Sequence, residues 1–169
     1  MKKRHLNGFA RIVAVMPAAL ALTASVCAAG DFVYVDTTAT LSYTTLVGPT
    51  PIPGLALILP ASTSNFNTAV VTLNMPNLFL SEPTSKTIPM AATMQIVAPL
   101  TQGGTVVNSG GIGCDNANVT VSGTKPFTLV LKVPLGTVSQ PVEAEWFSNG
   151  TSTVTTQNYA SLSAILVKE

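Results

Sequence analysis

The sequence of 169 residues predicts an all-β protein with the architecture of a β-sandwich. Three observations lead to this prediction. Apolar and polar residues alternate with a period of two along most of the chain, Pro and Gly residues separate the alternating segments, and no segment has the period of an amphipathic helix. The length is sufficient for one domain with a buried core.

The alternating segments predict the strands in chain order. The first segment places five residues on one face and their neighbours on the other; the five are Val33, Val35, Thr37, Ala39 and Leu41. Later segments have inward residues within 69–75, 90–96, 119–121 and 127–133, and a last strand extends from about Tyr159 to Val167. The Pro-rich residues 48–60 and the Gly-rich residues 103–113 predict turns and a flexible or turning loop.

The first 29 residues have the layout of a secretory signal peptide. Basic residues 2–4 precede a short apolar run at 12–24, and small residues follow at Ala28 and Ala29, after either of which we expect cleavage. The run is shorter than the roughly 20 residues that span a bilayer. A less favoured alternative is lipidation of Cys27, whose preceding residues only loosely resemble a lipobox.

Removal of this leader would leave a chain with little chemistry for catalysis. Every Arg and the single His lie within it, and what remains has four Lys, seven acidic residues and a net charge of −3. Nucleophilic triads need an imidazole, zinc and copper sites need His or several thiolates, and nucleic-acid binding needs basic charge. We therefore predict no enzyme activity, no catalytic residues, no metal site, no cofactor and no nucleic-acid partner.

Two acidic residues form the only close carboxylate pair in the body of the sequence. Glu143 and Glu145 are two residues apart, so a strand would place both on one face, with Val142, Ala144 and Trp146 on the other. A solvated strand face over a buried one is favoured over a general acid and base pair.

One cysteine remains after the leader, so no internal disulfide can form. Cys114 lies between Gly113 and Asp115, and we favour an unpaired thiol over an intermolecular disulfide.

The order of several segments resembles the major pilins of the alternate chaperone–usher pathway, which build colonisation-factor fimbriae and cable pili. The segments are the leader, the arm at 35–41, the strand at 70–73 leading into 76–78, the residues 88–90, and the terminal strand at 157–167. The similarity spans essentially the whole chain after the leader. Cys114 and the Pro-rich insert at 49–60 depart from the pattern of the main shaft subunits.

The resemblance implies an immunoglobulin-like β-sandwich that is incomplete and is completed by donor-strand exchange. Residues 1–29 would be the signal peptide, 30–48 the donor-strand arm and 49–169 the pilin domain. The arm would enter the groove of a neighbouring subunit, and its interface residues would be Val33, Val35, Thr37, Ala39 and Leu41. From composition alone, an ordinary first strand paired within its own domain is an equal alternative.

The implied function is structural: a head-to-tail homopolymer exported through the periplasm to form a fimbria for adhesion. The implied partners are other copies of the chain, a periplasmic chaperone, an outer-membrane usher and a tip adhesin. Two alternatives stay open, a free-standing secreted or periplasmic domain and a minor or tip adhesin that binds a host receptor. An adhesin would stack sugars on aromatic residues such as Trp146, Phe147 and Tyr159, although alternation favours a core position for Trp146.

Overall fold

A computed structural model describes residues 32–37, 40–44, 48–81, 90–114, 123–148, 153–156 and 159–169. These residues form ten strands: β1 (Phe32–Thr37), β2 (Leu41–Thr44), β3 (Thr50–Leu59), β4 (Thr68–Ser81), β5 (Met90–Pro99), β6 (Thr105–Cys114), β7 (Gly123–Pro134), β8 (Gln140–Ser148), β9 (Thr153–Thr156) and β10 (Ala160–Val167). Within the same ranges, no helix has the length and apolar character needed to cross a membrane. The predicted strand at 119–121 and the predicted cleavage sites Ala28 and Ala29 lie outside the described residues.

The strands form two sheets, and neighbouring strands within each sheet are antiparallel. In the first sheet, β10 and β9 pair with successive parts of β4 along one edge, and β1 and β2 pair with β10 and β9 in turn. Strand β7 pairs with the opposite edge of β4. The second sheet has the order β3-β8-β5-β6.

This arrangement is a jelly roll. In the first sheet, β1 and β2 together occupy one strand position, and β9 and β10 together occupy the next. Each sheet therefore has four strand positions, and their order is that of two Greek keys. The prediction of an all-β sandwich is confirmed, and the strand order specifies the jelly-roll form of that class. This chain itself supplies a strand at each of the eight positions.

The core lies between the two sheets and follows the alternation of the sequence. In β8, Val142, Ala144 and Trp146 are fully buried, whereas Glu143 and Glu145 are half-exposed on the outer face. The predicted core position of Trp146 and the outward direction of the two carboxylates are both confirmed. The remaining large buried side chains come from both sheets, among them Leu55, Leu59, Leu73, Met75, Leu78, Met94, Ile96 and Leu162.

The Pro-rich segment that was predicted to form turns contains a strand instead. Strand β3 lies at the edge of the second sheet, where Pro is tolerated because one side of the strand makes no ladder hydrogen bonds. The register with β8 shifts between Pro51 and Ala56, and Gly54 has a φ of 82° within that irregularity. Four residues of β3 thus lie opposite one residue of β8, and this irregularity absorbs the residues that would otherwise end the strand.

The Gly-rich segment at 103–113 was predicted to be a loop, and that prediction is wrong for most of it. Only the turn is irregular, with Gly103 and Gly104 at φ values of 93° and 89°, and β6 begins at Thr105. A Cβ on Gly110 would lie 3.2 Å from the ring of Phe127. Glycine therefore permits close approach between β6 and β7.

Candidate functional site

The outer face of the first sheet contains the most distinctive group of exposed side chains among the described residues. Pairing of β1, β10, β4 and β7 places outward residues in rows across the strands. We call these the apolar row (Phe32, Ile165 and Val70, which the charged Lys132 of β7 continues), the middle row (Tyr34, Ser163, Thr72 and Val130) and the polar row (Asp36, Asn74 and Thr128, together with Ser161, which is buried).

The apolar row carries large hydrophobic side chains that are open to solvent. Phe32 is 40% exposed and Ile165, directly opposite on β10, is 53% exposed. Phe32 lies at the start of β1, and Ile165 lies near the end of β10. Adjacent exposed apolar side chains on one sheet face are typical of a surface that contacts a ligand or a partner.

Three aromatic side chains and one carboxylate meet at the β1 edge of this face, and we call them the aromatic cluster. Phe32 and Tyr34 are two residues apart in β1, so both rings point outward; their centroids are 6.0 Å apart and their planes differ by 20°. The hydroxyl of Tyr34 is hydrogen-bonded to the hydroxyl of Tyr159, which precedes β10. Asp36 is the next outward residue of β1 and is exposed.

The environment keeps Tyr34 protonated. Burial is the largest cause, the hydrogen bond to Tyr159 is the next, and the nearby Asp36 carboxylate adds to them; together they raise the pKa of Tyr34 well above its ordinary value of 10.0. The neutral hydroxyl can both donate and accept a hydrogen bond. The cluster thus offers an aromatic ring face, two phenol hydroxyls and a carboxylate within one small area.

This set of groups is suited to binding. Asp36 is a single carboxylate, and the cluster contains neither a thiol nor an imidazole that could act as a nucleophile or proton shuttle. The structure shows no group of three potential metal-ligating residues in the portion of the chain it describes. The cluster can contact an apolar surface through Phe32 and accept or donate hydrogen bonds at its polar side.

The predicted donor-strand residues lie mainly on the inner side of the same strand. Val33, Val35 and Thr37 are buried, and Leu41 in β2 is half-buried against the core. Ala39 lies outside the described residues. In the single chain, β1 pairs with β10 of the same domain, which corresponds to the alternative of an ordinary first strand. Exchange of this strand between subunits stays a prediction.

The aromatic residues considered for an adhesin separate in space. Tyr159 belongs to the aromatic cluster, Trp146 is buried, and Phe147 is half-buried on the second sheet. Sequence reasoning assigned Tyr34 and Asp36 to the outward face of the first strand but did not identify them as site residues. The signal that could have found them is the Phe-x-Tyr-x-Asp spacing, which aligns an aromatic ring, a phenol and a carboxylate on one strand face.

The carboxylate pair of β8 forms part of a solvated face. Gln95 on β5 is directly opposite Glu145 and donates a hydrogen bond from Nε2 to its Oε2. Glu143 is opposite Val97 on the same strand. Cys114 ends β6, where it pairs with Met90 at the backbone level.

Comparison with known proteins gives one family match. The family model described as Bc2l-C, N-terminal domain, matches residues 34–165. No curated protein matches the chain in sequence.

Several solved structures are similar to parts of this chain. The VP2 subviral particle of infectious bursal disease virus is 15% identical, with a TM-score of 0.43 over 81% of this chain and 32% of the viral one. The Gt strain of the same virus gives 16% identity and a TM-score of 0.36, with 82% and 38% covered. The enzymatically active domain of bacteriophage CBA120 tailspike protein 4 is 13% identical, with a TM-score of 0.30 over 82% of this chain and 20% of the tailspike chain. The chain thus spans well under half the length of these proteins.

Proposed function

Because this chain belongs to the family of the Bc2l-C N-terminal domain, we propose that it is a non-catalytic carbohydrate-binding domain that acts as an adhesin. The observation that carries the proposal is the aromatic cluster on the outer face of the first sheet. The family model describes a lectin-like fold, and jelly rolls are a recurrent architecture of lectin domains. The leader-like residues 1–29 support export to the cell surface.

The chemistry of the cluster is complementary to a sugar. A pyranose has an apolar face of C–H groups and a rim of hydroxyls, so it needs an aromatic ring beside hydrogen-bonding groups. Phe32 would contact the apolar face, Asp36 would accept hydrogen bonds from hydroxyls, and the phenol of Tyr159 would exchange a hydrogen bond with the rim. A hydrogen bond to a charged group contributes about 1.5–3 kcal/mol.

The shape of the site implies weak binding by one domain. The cluster lies on an open sheet face, so it would bury a smaller part of a ligand than the 70–90% typical of deep pockets. Linked copies of such a site would raise the overall affinity through effective concentration. We therefore place the activity in recognition of surface glycans that present many identical sugars.

The test is a glycan-array screen of the full chain, followed by titration of the best oligosaccharide. We expect Asp36→Asn to weaken binding roughly 10- to 100-fold, because about 1.4 kcal/mol corresponds to each factor of ten. Phe32→Ala should also weaken it. Val130→Ala is the matched control, since Val130 is 49% exposed on the same face but lies on β7, three strands away from β1. Glycan binding that is equal in all three variants would refute the site, and the absence of any glycan ligand would refute the function.

A second candidate function is polymerisation by donor-strand exchange, which the position of β1 favours. This strand lies at the edge of the first sheet and alternates apolar inward residues with outward ones, as an exchanged strand must. Repeated exchange would give a fimbria at the cell surface, with a periplasmic chaperone and an outer-membrane usher as partners. A subunit of this kind could also carry the aromatic cluster.

Deletion of residues 30–42 and inspection of cells for surface fibres tests this candidate. Loss of fibres supports exchange, whereas fibres like those of the wild type would exclude it. In the complementary variant, a copy of residues 31–42 is fused to the C-terminus. A subunit that normally receives a strand from its neighbour should become a stable monomer, while a domain that already holds its own β1 should gain nothing.

A further inference from the structure

Strand β6 lies at one edge of the second sheet and is ten residues long. Its pairing with β5 is continuous over all ten residues, without a shift of register. Among the described residues, no strand pairs with the other side of β6. A long, regular and open edge strand presents a row of backbone N–H and C=O groups, and such a row is a template for pairing with another strand.

The ladder with β5 determines which residues of β6 direct these groups outward. The amide of Leu100 donates a 3.0 Å hydrogen bond to the carbonyl oxygen of Gly104, which lies next to β6 in the same register. Hydrogen-bonded and non-hydrogen-bonded pairs alternate along an antiparallel ladder, so the next pair, Pro99 with Thr105, is of the second kind. This assignment agrees with the missing N–H of proline. The backbone groups that point away from β5 therefore belong to Thr105, Val107, Ser109, Gly111 and Gly113.

The outward-directed part of β6 is open to solvent. Thr105, Val107, Ser109 and Gly111 are all exposed, and the exposed fraction of Val107 is 49%. Gly111 has no side chain, so its exposure is that of the backbone itself. The backbone groups on this side of β6 are therefore accessible to a second strand.

The other edge strands of the described structure each have a feature that hinders pairing. Strand β3 contains two prolines and a shift of register, and the edge formed by β1 and β2 is divided into strands of six and four residues. Strand β7 contains Lys125 and Lys132, and its Val130 carbonyl oxygen already accepts a hydrogen bond from the side chain of Asn108. Lysine, proline, irregular register and short length all keep sheet edges from associating. Strand β6 has none of these features and no charged residue.

We propose that the free edge of β6 pairs with β6 of a second copy of this chain, antiparallel and about a two-fold axis. The lack of charge makes the strand compatible with its own copy, because no like charges come to lie opposite each other. In one register, centred on Ser109, all the outward-directed residues meet. Thr105 then lies opposite the partner's Gly113, and Val107 lies opposite the partner's Gly111. The exposed side chain of Val107 thus lies beside a residue that has no side chain and leaves room for it.

The resulting dimer has a closed two-fold interface and one sheet that continues from the first copy into the second. This contact uses the edge of the second sheet, so it leaves the aromatic cluster on the first sheet open in both copies. The inference does not rest on the proposed function, because an open strand edge can pair whether or not the cluster binds sugars.

Sedimentation of the full chain at several concentrations tests the proposal, and we expect the wild type to have the mass of two chains. Ser109→Pro should have the mass of one chain. The amide of Ser109 points away from β5, so proline removes a bond to the partner but none within the chain's own ladder. Ser109→Thr is the matched control and should remain dimeric. If the proline variant does not fold, Ser109→Lys gives the same test, because it places two like charges opposite each other at the axis.

Cysteine substitutions test the register, in a chain whose Cys27 and Cys114 are replaced by serine. Ser109→Cys should form a disulfide-linked dimer on mild oxidation. Opposite Cα atoms of a hydrogen-bonded pair are about 5.5 Å apart, and disulfides join Cα atoms that are about 4.4–6.8 Å apart. Val107→Cys is the control, because its two copies would lie about 14 Å apart and should remain reduced.

A wild type with the mass of one chain at every concentration overturns the proposal. A dimer or larger assembly that persists in both Ser109→Pro and Ser109→Lys also overturns it, and equal cross-linking of the two cysteine variants excludes the register. Ser109→Pro further separates this contact from exchange of β1 between subunits. Dimer formation makes the midpoint of unfolding rise with protein concentration, so this variant is the background in which that dependence reports on β1 alone.

Discussion

Replacing Val35 with alanine tests whether β1 belongs to the core of its own chain. Val35 is 5% exposed and lies directly opposite Leu162 of β10. The change removes two methyl groups from a buried position, which corresponds to about 1.6 kcal/mol of transfer free energy, and incomplete collapse of the space adds a cavity contribution. We expect the free energy of unfolding to fall by about 1.5–3 kcal/mol.

The assay is urea unfolding followed by the fluorescence of the single tryptophan, Trp146, which is fully buried between the sheets. Val130→Ala is the control, because this side chain is 49% exposed and should change stability by no more than about 0.5 kcal/mol. Measurement at several protein concentrations adds the decisive comparison. A strand contributed by the same chain gives a midpoint independent of concentration, whereas a strand contributed by a neighbour gives a midpoint that rises with it. A concentration-dependent midpoint, or a loss below about 0.5 kcal/mol in Val35→Ala, would refute intrachain pairing as the source of stability.

Three further predictions concern local contacts. Gly136→Ala should lower the free energy of unfolding by about 1–3 kcal/mol, because the new Cβ clashes with Thr101. In a double-mutant cycle, Thr101→Gly should recover part of that loss. Additive effects of the two substitutions on stability would contradict the clash. Asn108→Ala should cost about 0.5–1.5 kcal/mol, because Nδ2 donates a 2.6 Å hydrogen bond to the carbonyl oxygen of Val130 across the sandwich edge; unchanged urea unfolding would show that this bond contributes nothing. The raised pKa of Tyr34 predicts that its contribution to the free energy of unfolding is fully present below pH 10, the pKa of an ordinary tyrosine, and is lost as the pH rises above that value. Tyr34→Phe should therefore make the free energy of unfolding less dependent on pH between about 9 and 11. An unchanged slope of this free energy against pH would contradict the prediction.

The sequence was most informative where a strand has one buried and one solvated face. The alternation around Leu73, Leu131 and Leu162 predicted β4, β7 and β10, because a period of two has no other regular explanation. The same argument placed Glu143 and Glu145 on the outside of β8. These predictions depend only on residues close together in the chain.

The two edge strands of the second sheet, β3 and β6, were harder to predict. Pro51, Pro53 and Gly54 have the composition of a turn, yet they lie in β3, since an edge strand leaves one side without ladder bonds and accommodates a shift of register. Gly110 and Gly111 likewise lie in β6, where small residues permit close contact with neighbouring strands. Composition is a poor guide at such positions because tertiary packing overrides local preference.

The strand order and the aromatic cluster depend on contacts between distant parts of the chain. The bond between Tyr34 and Tyr159 joins residues 125 positions apart and exists only because β1 pairs antiparallel with β10. Alternation identified the outward face of β1 but contained no information about what would lie beside it. Recognition of the site therefore required the register as well as the pattern.

The period of two in β1 also makes the two proposed functions separable. The inward set of β1 is Val33, Val35 and Thr37, and the outward set is Phe32, Tyr34 and Asp36. The inward side chains would enter the groove of a neighbouring subunit, and the outward side chains would contact the sugar. Substitution of one set leaves the side chains of the other unchanged, because they lie on opposite faces of the same backbone. Outward substitutions that abolish glycan binding but leave fibres intact would assign both functions to one strand. Outward substitutions that also abolish fibres would show that subunits meet through the outer face of the first sheet, and donor-strand exchange would no longer be needed to explain assembly.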